Sequence, residues 1–157
     1  MPGARSKTRI TCKLVVNLTA KEYAQCLRLN LGRYGIMRDY LRYCRRGRSA
    51  DYGHKKDPHV KRAQVLLLRE VETGILLAWC LIETSGRAMM YVRVRARRQG
   101  LGTRLLRALM RVRPDARICP WDELSRAFYR QAPQRLGAGR LRCANGYSLK
   151  AGGWPYR

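Results

Sequence analysis

Acidic residues are scarce in this sequence. Its 157 residues contain 10 Asp and Glu against 34 Lys and Arg, a formal net charge of +24, and 27 of the basic residues are arginine. Because arginine makes bidentate contacts with phosphate, this charge favours nucleic acid, acidic cofactors or acidic proteins as partners. The alternative is that the arginines reflect a codon-biased genome and form a solvated surface without a partner.

Long hydrophobic runs are also missing. No apolar run reaches the ~18 residues that a membrane span requires, and the N-terminal MPGARSKTR is not followed by the hydrophobic segment of a signal peptide. We therefore expect a cytoplasmic protein with no membrane partner.

The sequence lacks the residue spacings of a metal site. Its six cysteines form no C-x-x-C pair, which argues against a zinc ribbon or a thioredoxin-type site. The four cysteines in apolar patterns are predicted to be small buried side chains in a reducing compartment; they are Cys12, Cys26, Cys44 and Cys80. His54 and His59 lie in a loop beside Lys55 and Lys56, which oppose a cation, so no metal is predicted.

Length and hydrophobic patterning predict one α/β domain. An apolar content of 46% excludes a disordered chain, and we expect a basic arm over 1–8 and a single domain over 9–157. The predicted order is a strand, two helices, a three-strand antiparallel meander, a helix, a strand, a helix and a closing hairpin. The predicted boundaries are a strand over 10–16, helices over 19–30 and up to Arg46, strands over 63–72, 75–83 and 88–94, a helix over 103–112, a strand over 116–119, a helix over 122–131, and a hairpin of 141–143 with 147–149.

Three local patterns support this order. Thr19 and Glu22 have the spacing of a capping box, which opens the first helix. Thr73-Gly74 predicts the turn of a hairpin within the meander. Asn145-Gly146 is typical of a two-residue hairpin turn and predicts the closing hairpin.

The segment from Tyr91 to Leu106 carries the strongest chemical pattern. A predicted strand runs into the turn R-x-x-G-x-G, which opens an amphipathic helix. Gly100 and Gly102 permit close approach of an anion to the backbone, and the free N–H groups of the helix point at it. The third glycine of a dinucleotide-binding fingerprint and the Lys of a P-loop are both missing. A glycine-bearing turn without a ligand remains the structural alternative.

The same segment resembles motif A of the GNAT acetyltransferase superfamily, V-x-[PV]-x-x-[RQ]-x-x-G-x-[GA]. Val92, Val94, Arg97, Gly100 and Gly102 match it in register, and the predicted order of elements over residues 9–150 is similar to that of the family. Downstream, the stretch from Asp122 to Tyr129 is similar to the family's N-x-x-[AS]-x-x-[LF]-Y, with Asp in place of Asn. The alternative is that Phe128 and Tyr129 are ordinary helix core and rim residues.

The resemblance implies a specific fold and a cofactor. The fold is a mixed, mostly antiparallel sheet of six to seven strands with about four helices, splayed between the fourth and fifth strands. The cofactor is acetyl-CoA or another acyl-CoA, with its pantetheine paired to the strand near Val92 and Val94 and its pyrophosphate on the amides from Arg98 to Thr103. The implied cofactor-binding residues are Val92, Val94, Arg97, Arg98, Gln99, Gly100, Leu101, Gly102, Thr103, Asp122 and Ser125.

The implied reaction is direct transfer of the acyl group to an amine. Tyr129 takes the role of general acid toward the leaving thiolate. The sequence departs from the family in having no acid between Glu83 and Asp115, so the general base is open among Glu83, Glu70 and the two histidines. The usual [KR]-x-G-F ending after the tyrosine is also missing.

The basic residues favour an acceptor on DNA or RNA, such as a modified nucleobase, or on a nucleic-acid-associated or acidic protein. The predicted nucleic-acid contacts are Arg38, Arg42, Arg45, Arg46, Lys55 and Lys56. Such an enzyme would suit a bacteriophage, and either a monomer or a homodimer is compatible with the sequence. The alternative function is a non-catalytic nucleic-acid-binding module on a GNAT-like fold.

Overall fold

The computed structural model describes residues 6–29, 35–46, 62–120, 122–136, 141–145 and 147–150. Its strands are β1 (Thr8–Leu14), β2 (Gln64–Glu70), β3 (Leu76–Ile82), β4 (Arg87–Val92), β5 (Arg117–Ile118) and β6 (Arg142–Cys143). Its helices are α1 (Ala20–Leu29), α2 (Gly35–Arg46), α3 (Leu101–Val112) and α4 (Glu123–Leu136), with 3₁₀ turns at Val15–Asn17 and Val94–Ala96.

The six strands form one mixed sheet in the order β1-β2-β3-β4-β5-β6. β1 to β4 pair antiparallel, whereas β4 pairs with β5, and β5 with β6, in parallel. Helices α3 and α4 make the crossovers that parallel neighbours require. A six-strand mixed sheet with four helices among the described residues confirms the predicted α/β fold class.

The predicted closing hairpin is wrong. Because α4 returns the chain to the same end of the sheet, β6 runs parallel to β5, with Ile118 opposite Cys143. Residues 147–149 form no strand. Instead the amide of Tyr147 donates to the carbonyl of Ala144 at 3.1 Å, which closes a tight turn after β6.

The sheet is buried on both faces. Helices α1 and α2 cover one face, where Leu41 packs with Trp79 and Met89 in one hydrophobic cluster. Helices α3 and α4 cover the other, where Leu105 and Tyr129 belong to a second cluster. Successive side chains of a strand point to opposite faces, so β3 and β4 contribute alternately to both clusters.

β4 and β5 pair only at their first two positions. Arg87 lies opposite Arg117 and Ala88 opposite Ile118, and the pairing stops there. β4 continues for four residues, Met89–Val92, beside no residue of β5. We call the gap beyond Ala88 the cleft; it is the splay between the fourth and fifth strands that the resemblance implies.

The structure agrees with most of the sequence-based predictions of the helix cap and of the buried cysteines. The amide of Thr19 donates to Glu22 Oε2 at 3.0 Å and the amide of Glu22 to Thr19 Oγ1 at 3.1 Å, which confirms the capping box. Cys26, Cys44 and Cys80 are buried, but Cys12 is exposed because it lies on the edge strand β1.

Several element ends differ from the predictions, among them the C-terminal ends of β1 and α4. The first strand stops at Leu14 and a 3₁₀ turn follows it. Helix α4 was predicted to end at Gln131 but runs through Pro133 to Leu136. A proline so close to the end of a helix removes one backbone hydrogen bond, a cost that the packing of α4 on the sheet outweighs. Within the described residues, no helix is long and apolar enough to cross a membrane.

Candidate active site

The turn between β4 and α3 contains two left-handed residues. Arg98 has φ 61° and Gly100 has φ 78°. A non-glycine residue in this region is uncommon, and such strain concentrates at binding sites. β4 ends at Val92, so the prediction that the strand extends through Val94 is wrong; Val94 starts a 3₁₀ turn whose carbonyl accepts from the amide of Arg97 at 3.3 Å.

The N-terminus of α3 is open to an anion. The first helical hydrogen bond runs from the amide of Arg104 to the carbonyl of Gly100 at 3.0 Å. The N-cap Gly100 offers no side chain, and the first turn holds no acidic residue. The amides of Leu101, Gly102 and Thr103 therefore have no partner within the helix, and the helix dipole adds positive potential there.

Arg97 fastens this turn to the end of β4. Its Nε donates to the carbonyl of Val92 at 3.0 Å, and its Cζ lies 5.6 Å from the centre of the Tyr91 ring. Arg97 therefore holds the backbone of the turn through its Nε, and its predicted role in cofactor binding stays a prediction. Arg98 and Gln99 remain exposed beside the open helix end.

Gly102 has a packing role that the sequence analysis missed. A Cβ added at Gly102 would lie 3.2 Å from both Cε2 and Cζ of Phe128 and 3.8 Å from Cγ2 of Val92. Glycine therefore lets the first turn of α3 rest on α4. Phe128 is the only phenylalanine of the chain, and its position one residue before Tyr129 was the available signal.

The backbone of β4 presents hydrogen-bonding groups to the cleft. The amide of Glu83 donates to the carbonyl of Arg87, and the amide of Arg93 to the carbonyl of Leu77, both at 2.8 Å. Odd-numbered residues of β4 thus face β3, and by alternation Met90 and Val92 direct their main-chain groups into the cleft. Because Arg97 occupies the carbonyl of Val92, the Met90 groups and the Val92 amide are the ones left for an extended ligand.

Tyr129 lies in the α3–α4 cluster together with Ala88 and Ile118, where β4 and β5 last pair. Only 3% of its surface is exposed. Burial raises the pKa of Tyr129 well above its usual range, and the thiols of Cys80, Cys119 and Cys143 raise it further. The phenol is therefore protonated at neutral pH, as a proton donor must be.

Asp122 and Ser125 cap α4. The amide of Ser125 donates to Asp122 Oδ1 at 2.8 Å, and the amide of Asp122 donates to Ser125 Oγ at 3.0 Å. The structure pairs these two residues with each other, and their contact with the cofactor stays a prediction. Their function in the described structure is to fix the start of the helix that carries Tyr129.

The α1–α2 face of the sheet carries a glutamate and an arginine next to the paired start of β4 and β5. Glu83 and Arg87 lie opposite each other across β3 and β4, and Ser85 Oγ donates to Glu83 Oε2 at 3.4 Å. Burial raises the pKa of Glu83, although Arg87, Ser85 and Arg117 act in the opposite direction. A carboxylate with a raised pKa is a stronger base than an exposed carboxylate, and it therefore suits the role of general base better.

Arg87 is enclosed by aromatic rings. Its Cζ lies 5.5 Å from the centre of the Tyr40 ring and 5.8 Å from that of Tyr147, and its Nη1 donates to Tyr40 Oη at 3.4 Å. Burial alone would lower the pKa of Arg87, but a hydrogen bond with the Cys119 thiol, together with Glu83 and Tyr40, raises it overall. The guanidinium group thus stays charged beside the cleft.

Four buried polar atoms find no hydrogen-bond partner among the residues that the structure describes. They are Arg38 Nε, Trp79 Nε1, Glu83 Oε1 and Arg87 Nε. All four lie on the α1–α2 face of the sheet or on α2. Since buried polar groups are almost always paired, the partners of these four atoms are expected outside the described residues, either in the rest of the chain or in a bound molecule.

Some of the predicted nucleic-acid contacts on α2 have partners within the protein, and others are exposed. Arg45 Nη1 donates to the carbonyls of Val15 and Val16, each at 3.1 Å, and so anchors α2 to the end of β1. Arg42 pairs with Asp39 at 3.5 Å, and Arg46 is exposed. Lys55 and Lys56 lie outside the described residues. Arg45 and Arg42 thus already have partners within the protein, and contact of the four arginines of α2 with nucleic acid stays a prediction.

Metal ligands do not come together in the described part of the chain. No three His, Cys, Asp or Glu side chains there form a group that could hold an ion. His54 and His59 lie outside the described residues.

Comparison with known proteins gives structural neighbours only. No family model and no curated protein matches the sequence. The structure is similar to an acyl-CoA N-acyltransferase from Pseudomonas aeruginosa, with 21% identity, a TM-score of 0.44, and coverage of 71% of this chain and 77% of that one. It is similar to AAC(6')-Iy in complex with the bisubstrate analogue CoA-S-monomethyl-acetylneamine, with 12% identity, a TM-score of 0.49, and coverage of 93% and 100%. It is also similar to a ribosomal-protein-alanine N-acetyltransferase from Brucella melitensis biovar Abortus 2308, with 16% identity, a TM-score of 0.48, and coverage of 90% and 96%.

Proposed function

We propose that this protein is a GNAT-type N-acyltransferase that moves an acyl group, in the first instance acetyl, from acyl-CoA to an amine. The observation that carries the proposal is the uncapped N-terminus of α3 at the mouth of the cleft, with left-handed Gly100 as its N-cap. A diphosphate is the ligand that such a helix end favours. The splayed strands β4 and β5 provide the adjoining slot for an extended thioester arm.

The described residues fit an acyl-CoA molecule in two places. The amides of Leu101, Gly102 and Thr103 would hold its pyrophosphate, with the exposed Arg98 adding charge. The main-chain groups of Met90 and the amide of Val92 would pair with its pantetheine, as a further strand would. When bound, acyl-CoA supplies an activated carbonyl carbon; the protein positions it and manages protons.

Two side chains on opposite faces of the sheet take the proton-transfer roles. Glu83, half-buried and with one carboxylate oxygen unpaired among the described residues, accepts the proton that the amine loses. Tyr129, buried and protonated, supplies a proton to the departing sulfur. The raised pKa of Glu83 moves it toward the range that a general base needs. The raised pKa of Tyr129 keeps the phenol protonated but makes it a weaker acid.

The acceptor amine belongs to DNA or RNA, or to a protein that accompanies nucleic acid. The net charge of +24 supports this choice because it repels polyamines and other cationic acceptors and attracts polyanions. The segment 84–114 supports it as well, since it holds nine arginines and no acid. Cofactor phosphates alone do not need so many cations.

A second candidate is a nucleic-acid-binding module without catalysis. The observation in its favour is the absence of any acidic side chain on β4 or α3, where a base could face the cleft directly. Acetyl-CoA binding separates the two functions. The enzyme gains about 5–10 °C in Tm at one hundred times Kd, since ligand at that level contributes ~2.7 kcal/mol. A module without the acyl-CoA site gains nothing.

The test uses a matched pair of glycines. Gly100 and Gly74 have φ 78° and 70°, and a Cβ at either position meets no atom within 4 Å. Alanine therefore strains both turns alike, by about 1–2 kcal/mol. Gly74 lies in the turn between β2 and β3, away from the cleft.

Gly100→Ala is expected to lose most acetyl-CoA binding, while Gly74→Ala loses stability but keeps the thermal shift. Calorimetric titration of both variants with acetyl-CoA measures the difference. If both variants bind acetyl-CoA as tightly as wild type, the N-terminus of α3 is not the pyrophosphate site. If both variants lose the same affinity, backbone strain alone explains the effect.

A further inference from the structure

We propose that Glu83 and Arg87 form the acceptor pocket, and that this pocket recognises a nucleobase whose exocyclic amine lies next to a ring nitrogen acceptor, such as adenine or cytosine. The inference rests on the proposed acyl transfer and adds the acceptor that the transfer uses. It assigns Arg87, and not only Glu83, a direct contact with the substrate.

The pair is complementary to such a base edge. Glu83 Oε1 is a buried acceptor without a donor and Arg87 Nε a buried donor without an acceptor, as far as the described residues go. Their residues are directly opposite across β3 and β4, with the amide of Glu83 bonded to the carbonyl of Arg87 at 2.8 Å. A ligand that satisfies both atoms must present one donor and one acceptor side by side. Amino-pyrimidine and amino-purine edges have this arrangement.

The donors and acceptors of other amines match Glu83 Oε1 and Arg87 Nε less well. An alkyl ammonium has three donors and no acceptor, so it would leave Arg87 Nε unpaired. Thymine and uracil have no exocyclic amine to accept an acyl group. A peptide N-terminus offers an amine and a carbonyl, but it is cationic and the chain carries a net charge of +24.

The surroundings favour a flat ring. Tyr40 and Tyr147 place their rings 5.5 Å and 5.8 Å from Arg87 Cζ, one from α2 and one from the segment after β6. A base that enters the pocket has to displace the Tyr40–Arg87 hydrogen bond, which at 3.4 Å is a long one. Aromatic side chains then stack on a base as readily as on a guanidinium group. The base must be unpaired or flipped out of a duplex to expose this edge.

The pocket adjoins the site of acyl transfer. Arg87 is opposite Arg117 in the first of the two paired positions of β4 and β5, and the cleft opens beyond the second pair, Ala88 with Ile118. In the reaction the exocyclic nitrogen bonds to the acyl carbon as the carbon–sulfur bond breaks. The proton lost by nitrogen passes to Glu83, and the sulfur leaves as the CoA thiol with a proton from Tyr129.

The experiment measures transfer of radiolabelled acetyl from acetyl-CoA to single-stranded oligonucleotides. Oligocytidine or oligoadenosine is expected to accept the label, and oligothymidine is the control that lacks an amine. Replacing cytosine by 3-deazacytosine, or adenine by 1-deaza- and 7-deazaadenine, keeps the amine and removes a ring acceptor. We expect at least one deaza substitution to lower kcat/KM about tenfold or more.

The protein side of the test is Arg87→Lys, which keeps the charge but lacks Nε. It is expected to raise KM for the oligonucleotide about tenfold, with KM for acetyl-CoA unchanged. Because the deaza substrates probe wild-type protein, the proposal stays testable even where this variant does not fold. Transfer that is indifferent to every deaza substitution overturns the pocket assignment.

The remaining outcomes separate this proposal from the proposed function. If acetyl-CoA binds and a peptide or free amino acid accepts the label while oligonucleotides do not, the acceptor is wrong and the acyltransferase stands. If wild-type protein does not bind acetyl-CoA at all, the proposed function itself fails. Labelling of oligothymidine would show that the acceptor atom is not an exocyclic amine and would likewise overturn the proposal.

Discussion

Replacing Glu83 by Gln should stabilise the fold and abolish activity at the same time. The carboxyl is partly buried, and only its Oε2 has a partner among the described residues, Ser85 Oγ at 3.4 Å. The charged groups around it are Arg87 and Arg117, and together they do not offset the burial that raises its pKa. The ionised carboxylate is therefore a net cost to the folded state at neutral pH.

The size of the effect follows from the cost of burying an unsatisfied polar group, ~1–3 kcal/mol. Because Glu83 is only partly buried, we expect the lower end, about 1 kcal/mol, or about 2–4 °C in Tm for a chain of this size. A raised carboxyl pKa means that folding stability is largest where the group is protonated and declines as pH rises through the folded pKa. The gain from Gln should thus be full at pH 7.5 and vanish at acidic pH.

The assay is thermal unfolding of wild type and Glu83→Gln across a pH series, with acetyl transfer measured on the same samples. Loss of a general base lowers kcat by about 10²-fold or more. A variant that is less stable than wild type at pH 7.5 would refute this reasoning, because the carboxylate would then be a stabilising partner of the two arginines. Full activity of the variant would remove Glu83 from the proton-transfer step.

Three further predictions concern the cleft. Tyr129→Phe should lower kcat about 10²-fold and leave KM for acetyl-CoA unchanged, in steady-state kinetics; an unchanged kcat would exclude the phenol as proton donor. Gly102→Ala should cost about 1–3 kcal/mol in urea unfolding because its Cβ meets Phe128 at 3.2 Å, and Phe128→Leu in the same chain should recover part of it. Arg97→Lys loses the bond from Nε to Val92 and should weaken acetyl-CoA binding without lowering Tm by more than a few degrees; tight binding would contradict the role of Arg97 in shaping the turn.

Local sequence patterns predicted most of the helices and strands, because the caps, turns and apolar runs that they indicate are kept in the packed structure. The Thr19–Glu22 box caps a real helix, and the apolar runs on either side of the Thr73-Gly74 turn correspond to β2 and β3. The closing hairpin failed because Asn145-Gly146 specifies only a turn. Whether β6 pairs with a following strand or with β5 depends on where α4 delivers the chain, which is a tertiary property.

The candidate site also has a part that the sequence predicted and a part that only the tertiary structure shows. The glycine pattern located the open end of α3 because a left-handed N-cap has few alternatives to glycine. The sequence did not show that Gly102 packs against Phe128. It also did not show that Arg97 bonds to the backbone of Val92, or that Asp122 and Ser125 bond to each other. Those assignments depend on partners distant in sequence. Arg87 was missed as a site residue because only the pairing of β3 with β4 sets it beside Glu83.

The most direct test of the central claim compares acetyl-CoA with S-acetylpantetheine, which has the thioester arm but no pyrophosphate, in calorimetric titrations of the wild-type protein. If the uncapped amides of Leu101, Gly102 and Thr103 hold the pyrophosphate, acetyl-CoA binds one molecule per chain. S-acetylpantetheine then binds at least tenfold more weakly. Equal affinities, or no binding of acetyl-CoA, would contradict the assignment of this helix end and of the function built on it.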